Sequence, residues 1–221
     1  MLPTVQDVAR VLQGHVREDM PGFPEAPGTH PTGVLLPILW DPEPVCVATV
    51  RAAHIRHGGE VCFPGGRPSP GDDGLFGTAE REAREELDMR VLRPLGALSS
   101  IPVYGSPYRI HPFAAQVEDS ALIPDPSEVA GVLRLPLRAW LSRDIIDGIA
   151  WRSRDGEVVY SPIFEVDGYV MFGATAHCLL ELMTALAPLF GLQVPPLGPG
   201  RFVWEDMPAA VANNTRLASR K

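Results

Sequence analysis

The segment REAREE, residues 81–86, places Glu82, Glu85 and Glu86 on what reads as one short helix. Each helical residue advances about 100°, so the three carboxylates share an arc of roughly that width. Glu82 stands three residues from Glu85 and four from Glu86, spacings at which like charges destabilise a helix by roughly 0.2–0.5 kcal/mol each. Hard oxygen donors at this density suit Mg²⁺ or Mn²⁺, and a divalent ion would cancel the repulsion. An apolar stripe of Phe76, Ala83 and Leu87 borders the arc. It fixes the helix against a sheet and leaves the acids at the rim of the buried face. Arg81 can pair with Glu85 one turn later. Upstream, FPGG (residues 63–66) supplies glycines that let the backbone approach a metal or phosphate, with the Gly66 carbonyl as a further ligand. A Glu-rich solvated face is the plain alternative for REAREE alone, but the strand and FPGG ahead of it argue against that.

A second group of residues carries the opposite charge. Arg51, His54, Arg56, His57 and Arg67 lie within residues 51–67, where Glu60 is the only acid. The chain as a whole has a formal net charge of -8, so this is a local reversal. Arginine forks bind phosphate oxygens bidentately and stay charged. We therefore expect Arg51 and Arg56, and with less weight Arg67, to contact phosphate, the alternative being arginines that only solvate a loop. His54 and His57 read as loop residues, because a hard-oxygen metal site needs no imidazole.

The elements that must position these groups follow from pattern and punctuation. Residues 4–16 read as an amphipathic helix with Thr4 as N-cap and Asp7 three residues on; residues 17–32 read as an irregular connector. Strands are expected at 33–40, 45–52 and 60–63, then, after the acidic helix, at 95–104, 109–117 and 128–137. A short helix is expected at 137–145, a hairpin at 157–172 turning at Asp167-Gly168, and an apolar helix at 174–190. This mixture implies an α/β sandwich in one domain over residues 1–192, with its core at 33–185. Residues 193–221, with VPPLGPG, read as an extended or partly disordered tail.

Composition narrows the function classes. The net charge of -8 argues against nucleic acid as a partner, since a polyanion is repelled at long range. No apolar run reaches the roughly 18 residues of a membrane span, and the N-terminus lacks the pattern of a secretory signal. Three scattered cysteines, Cys46, Cys62 and Cys178, make no disulfide framework, and a cytoplasmic location is the simplest expectation.

Gly66, the acid at Asp72 or Asp73, and Arg81-Glu82-Ala83-Arg84-Glu85-Glu86 ending at Met89 resemble the Nudix hydrolase signature. Three positions depart from it. The first spacer is one residue longer, Ala83 is small for its aliphatic position, and Asp88 replaces the closing glycine, where a left-handed backbone is expected and Asp is tolerated. The upstream segment TVRAAHIRHGGEVCFPGG, with Arg51, Arg56, Gly59 and Phe63–Gly66, resembles a second signature of the coenzyme A diphosphatase branch. Ala52 stands for its usual serine and one residue is missing before the glycine. FGATAHCLLELM, residues 172–183, is similar to the segment opening the last helix in that branch.

This resemblance implies a Nudix-type α/β/α sandwich with a mixed central sheet, and a homodimer is common in the family. It implies one to three Mg²⁺ or Mn²⁺ ions held by Glu82, Glu85, Glu86 and the Gly66 carbonyl, with Arg81 holding Glu85. The implied reaction hydrolyses coenzyme A to 3′,5′-ADP and 4′-phosphopantetheine. A helix glutamate, or Glu128 from a later loop, is the candidate general base; a solvated strand entry is the other reading of Glu128. Two alternatives stay open: a diphosphatase for ADP-ribose, dinucleotides or damaged nucleotides, and a non-catalytic Nudix-like binding module.

Overall fold

In the computed structural model, which describes residues 2–21, 28–118, 122–153 and 155–218, the first helix is α1 (Val5–Gln13). Thr4 caps it as expected: its hydroxyl accepts from the Asp7 N–H at 3.2 Å, and its own N–H donates to Asp7 Oδ2 at 3.1 Å. Part of the expected connector, residues 22–27, lies outside the described residues.

Two long strands follow, β1 (His30–Trp40) and β2 (Pro44–Arg51), joined across the DPEP turn. The expected strand at 60–63 is two short pieces, β3 (Val61–Cys62) and β4 (Gly65–Gly66), on either side of Phe63-Pro64. Next come the acidic helix α2 (Gly74–Leu87), then β5 (Val91–Ala97), β6 (Ile101–Pro102) and β7 (Tyr108–Val117). The single strand expected at 95–104 is thus divided, and β5 begins earlier. After β8 (Val129–Leu135) and the short helix α3 (Leu137–Leu141), β9 (Ile146–Arg152) forms where no strand was expected.

The expected hairpin is also rearranged. β10 (Val158–Pro162) pairs with β9, and only β11 (Phe164–Val166) and β12 (Tyr169–Met171) form the hairpin around Asp167-Gly168. Both turn residues have positive φ, 51° and 83°, which suits a two-residue hairpin loop. The last core helix is α4 (Gly173–Leu186), which tightens into a single 3₁₀ turn at Ala187–Phe190 around Pro188.

β1 is the hinge of the main sheet, whose path runs β3-β2-β1-β7-β5. It pairs parallel with β7 and antiparallel with β2 and β4, so the sheet is mixed, as expected. Both faces of β1 are covered, which explains its near-continuous apolar run. Leu35 and Leu39 pack towards Ala79, Ala83 and Leu87 of α2. Val34, Leu36 and Ile38 pack towards Val8 and Leu12 of α1 and the buried face of α4. The architecture is an α/β/α sandwich around a mixed central sheet.

Two expectations are corrected. The 18-residue stretch Gly173–Phe190 has a mean hydropathy of 1.3, so by length and composition one helix does reach spanning size. Here Ala176, Cys178, Leu179, Leu182, Met183 and Leu186 are buried in the core. The expected extended tail is instead structured: β13 (Leu197–Pro199) pairs with β9, and α5 (Met207–Ala218) lies against β12, burying Met207, Ala210 and Asn214.

Candidate active site

α2 presents its acids as the helical spacing predicted, but burial grades them. Glu85 is exposed, Glu82 is intermediate, and Glu86 is only 3 % exposed. Ala83 and Leu87 on the neighbouring stripe are buried, so the register that packs the helix also drives Glu86 inward. The left-handed stop at Asp88 is present, with φ 50° and ψ 32°.

Arg81 stands at the centre of the acids. Its Nε donates to Asp72 Oδ1 at 2.9 Å, its Nη1 to Glu85 Oε2 at 2.9 Å, and its Nη2 lies 3.0 Å from Glu82 Oε1. The pairing with Glu85 was expected; those with Asp72 and Glu82 were not. Asp72 also accepts from the Ser69 N–H and the Thr78 hydroxyl, each at 2.8 Å. These bonds, Arg81 first, hold its carboxyl well below the usual range. Asp72 is therefore the acid that meets Arg81, while Asp73 occupies the N-cap position without a side-chain cap bond.

Glu86 is left without such help. Its Oε1 accepts a long bond from the Gly65 N–H at 3.5 Å, and its Oε2 is buried with no hydrogen-bond partner among the described residues. Burial pushes its carboxyl up to about 8, with Glu128 and Glu82 adding to the rise. Burial also raises the Glu82 carboxyl. The backbone of Gly66 lies hard against Glu82, since a Cβ there would come 2.3 Å from Oε1.

A preassembled ligand set of Glu82, Glu85 and Glu86 is not formed, because Arg81 engages Glu82 and Glu85. Among the described residues no three acidic, imidazole or thiol groups are gathered to hold a metal. The chemistry still fits a cation. The orphaned Glu86 oxygen, the Glu82 carboxylate and the close Gly65–Gly66 backbone form an oxygen-rich corner, and a dication there would satisfy the buried carboxylate.

The expected cationic residues do come together. Arg51, Arg56 and Arg67 line one cavity of about 380 Å³ with Thr32 and Tyr108. Arg67 joins this cavity to the acidic helix, since its carbonyl accepts from Arg81 Nη2 at 3.0 Å. Arg51 is braced on its own loop, its Nε donating to the Arg56 carbonyl at 3.1 Å. His57 faces Glu60 at 3.0 Å and His54 is exposed, in keeping with loop roles. Thr32 and Tyr108 were missed: nothing local marks them, and only the parallel β1–β7 pairing brings them to the arginines.

Glu128 is exposed and lies on the same side as the acids, since its charge acts on both Glu82 and Glu86. Its loop is fastened at two points. The Asp125 N–H donates to the Glu86 carbonyl at 2.9 Å, and the Ala52 N–H donates to the Glu128 carbonyl at 2.8 Å. The acidic helix, the arginine loop and the Glu128 loop are thus tied by backbone hydrogen bonds.

Comparison with known proteins bears on this arrangement. An uncharacterized Nudix hydrolase, NudL, from Yersinia pestis (strain Pestoides F) is 42% identical over 115 residues, covering 49% of this chain and 56% of that protein. The NudL of Yersinia pseudotuberculosis serotype O:1b (strain IP 31758) matches to the same extent, so the aligned stretch spans about half the length of these curated relatives. Among solved structures, a NUDIX hydrolase from Nitrosomonas europaea aligns over 80% of both chains with TM-score 0.45 and 14% identity. A MutT NUDIX hydrolase from Burkholderia pseudomallei aligns over 49% of this chain and 84% of its own with TM-score 0.42 and 16% identity. The NUDIX domain family model matches residues 29–159, more than half of the chain and the whole stretch that carries the acids and arginines described above. The chain belongs to the Nudix family.

Proposed function

We propose that this protein is a metal-dependent hydrolase of a nucleoside diphosphate linked to a second moiety, with coenzyme A and its derivatives as substrate. The observation that supports it most is the adjacency of two opposite sites. The helix that carries Glu86, whose buried Oε2 has no hydrogen-bond partner among the described residues, also carries Arg81, which bonds the carbonyl of Arg67 in the wall of the three-arginine cavity. Coenzyme A carries a diphosphate bridge and a separate ribose phosphate, and so calls for an anionic metal site and a cationic pocket together.

Glu82 and Glu86, with Glu85 once released from Arg81, and the Gly66 carbonyl would hold Mg²⁺ or Mn²⁺. Such an ion would supply charge neutralisation of the diphosphate and its transition state and would lower the pKa of water. Arg81 holds the carboxylates in register. Arg51, Arg56 and Arg67 grip the phosphate oxygens and fix the direction of attack. Glu128 takes the proton of the attacking water. Cleavage of the P–O–P bridge then yields 3′,5′-ADP and 4′-phosphopantetheine. Three free cysteines accord with work in a reducing compartment such as the cytoplasm.

Product analysis with coenzyme A, ADP-ribose and NADH in Mg²⁺ or Mn²⁺ tests this reading. Preferential release of 3′,5′-ADP is expected. Equal or better turnover of ADP-ribose would refute coenzyme A as the substrate, and no metal-dependent turnover of any diphosphate would instead indicate a binding module.

A further inference from the structure

The arginine loop does not stand alone, and what braces it lies at the far end of the chain. Asn214 on α5 is fully buried, at 0 % exposure. Its Nδ2 donates to the carbonyl of Gly59 at 3.0 Å and to that of Val170 at 3.1 Å, and its Oδ1 accepts from the Val170 N–H at 3.0 Å. Gly59 in turn closes the arginine loop: its N–H donates to the Arg51 carbonyl at 2.9 Å, and the Arg51 N–H donates to the Glu60 carbonyl at 3.0 Å. α5 presses on this point so closely that a Cβ at Gly59 would come 2.3 Å from Thr215 Oγ1 and 2.7 Å from the Val211 carbonyl. The Gly59 φ of +82° is also one that other residues rarely adopt.

We propose that α5 is part of the substrate site, with Asn214 as a positioning residue that sets, through Gly59, where Arg51 and Arg56 present their guanidinium groups. The proposal rests on the reading of this cavity as the phosphate pocket. Asn214 reaches no substrate itself. Of its three hydrogen bonds two hold β12 and one holds Gly59, so it ties the loop to the sheet through the helix. A buried amide so placed fixes geometry as much as stability, because removing it strands three buried backbone groups.

The test compares Asn214→Ala with Met207→Ala, which loosens α5 at a buried position away from Gly59. Kinetics use whichever diphosphate the wild type hydrolyses, and inorganic pyrophosphate serves as competitive inhibitor. Asn214→Ala is expected to raise both KM and the pyrophosphate Ki about tenfold, since small misplacements of binding groups are felt strongly, with kcat within about threefold of wild type. Adding Asn214→Ala to Arg51→Ala should cost less than Asn214→Ala alone, because only Arg56 is then left to misplace. Met207→Ala should lower Tm and leave KM unchanged. An unchanged KM in Asn214→Ala, or full additivity with Arg51→Ala, overturns the proposal.

Amide hydrogen exchange on the wild type with pyrophosphate and Mg²⁺ needs no folded variant. Protection should appear in residues 51–60 and in 211–215 together. Protection confined to the arginine loop counts against the brace alone, whereas no protection in either segment or at the acidic helix refutes the phosphate-pocket reading and this proposal with it.

Discussion

The Cβ that Gly66 lacks would lie 2.3 Å from Oε1 of Glu82. A Cβ there cannot coexist with the carboxylate where it lies, so a side chain at this position must move the acid. Gly66→Ala is expected to displace the Glu82 carboxylate, the end of a flexible side chain, and leave the fold intact. Mn²⁺ affinity, read by titration, should fall roughly 10–100-fold. An unaltered affinity would remove Glu82 and Gly66 from the metal site.

Glu86 supplies a pH prediction with a definite sign. Its carboxyl is raised by burial to about 8 in the fold, against an unfolded value of 4.5. Stability from the neutral carboxyl is therefore fully present below pH 4.5 and is lost as pH rises through about 8. Metal-free Glu86→Gln should melt higher than wild type at pH 8.5, with little difference at pH 4.5. Saturating Mg²⁺ should raise the Tm of wild type at pH 8.5 but barely that of the variant, whose kcat should fall at least about 10²-fold. Parallel melting profiles for the two proteins would contradict this account of Glu86.

Asp72 titrates in the opposite sense. Arg81, the Ser69 N–H and Thr78 hold its carboxyl below the ordinary 3.8, so its contribution is present above that pH and is lost as pH falls through the lower folded value. Asp72→Asn should lower the urea midpoint at pH 7, and the gap to wild type should narrow below pH 3.8. A gap independent of pH would mean that the Asp72 charge contributes nothing.

Asp88 ends α2 in a left-handed conformation that costs a residue with a Cβ more than it costs glycine. Asp88→Gly is expected to stabilise the protein by about 0.5–1 kcal/mol and leave kcat alone, since Asp88 is exposed and does not line the arginine cavity. Chemical denaturation checks the first part. A destabilised variant would show that the cap gains more from the Asp side chain than it loses in backbone strain.

Much of this protein could be read from local pattern. The Thr4–Asp7 cap, the burial stripe of α2, the left-handed stop at Asp88 and the Asp167-Gly168 turn each depend on residues within a turn or two of one another. The acids and the arginines were legible for the same reason, since their spacing along the chain is their chemistry. The division of the 157–172 segment between two sheets was not, because β10 follows β9, a partner that its own alternation does not name.

The sequence by itself determined which groups are present and on which helix and loop they lie, and hence the expectation of a site for cations beside a site for anions. Only the tertiary structure decided that Asp72 and not Asp73 meets Arg81, that Arg81 engages two of the three glutamates, and that Glu86 is the one left buried and unpaired. It also turned the C-terminal segment from an expected tail into the helix whose Asn214 holds Gly59, 155 residues away. The physical reason is range: caps and periodicity act over one or two turns, whereas burial and charge pairing depend on what distant strands bring alongside.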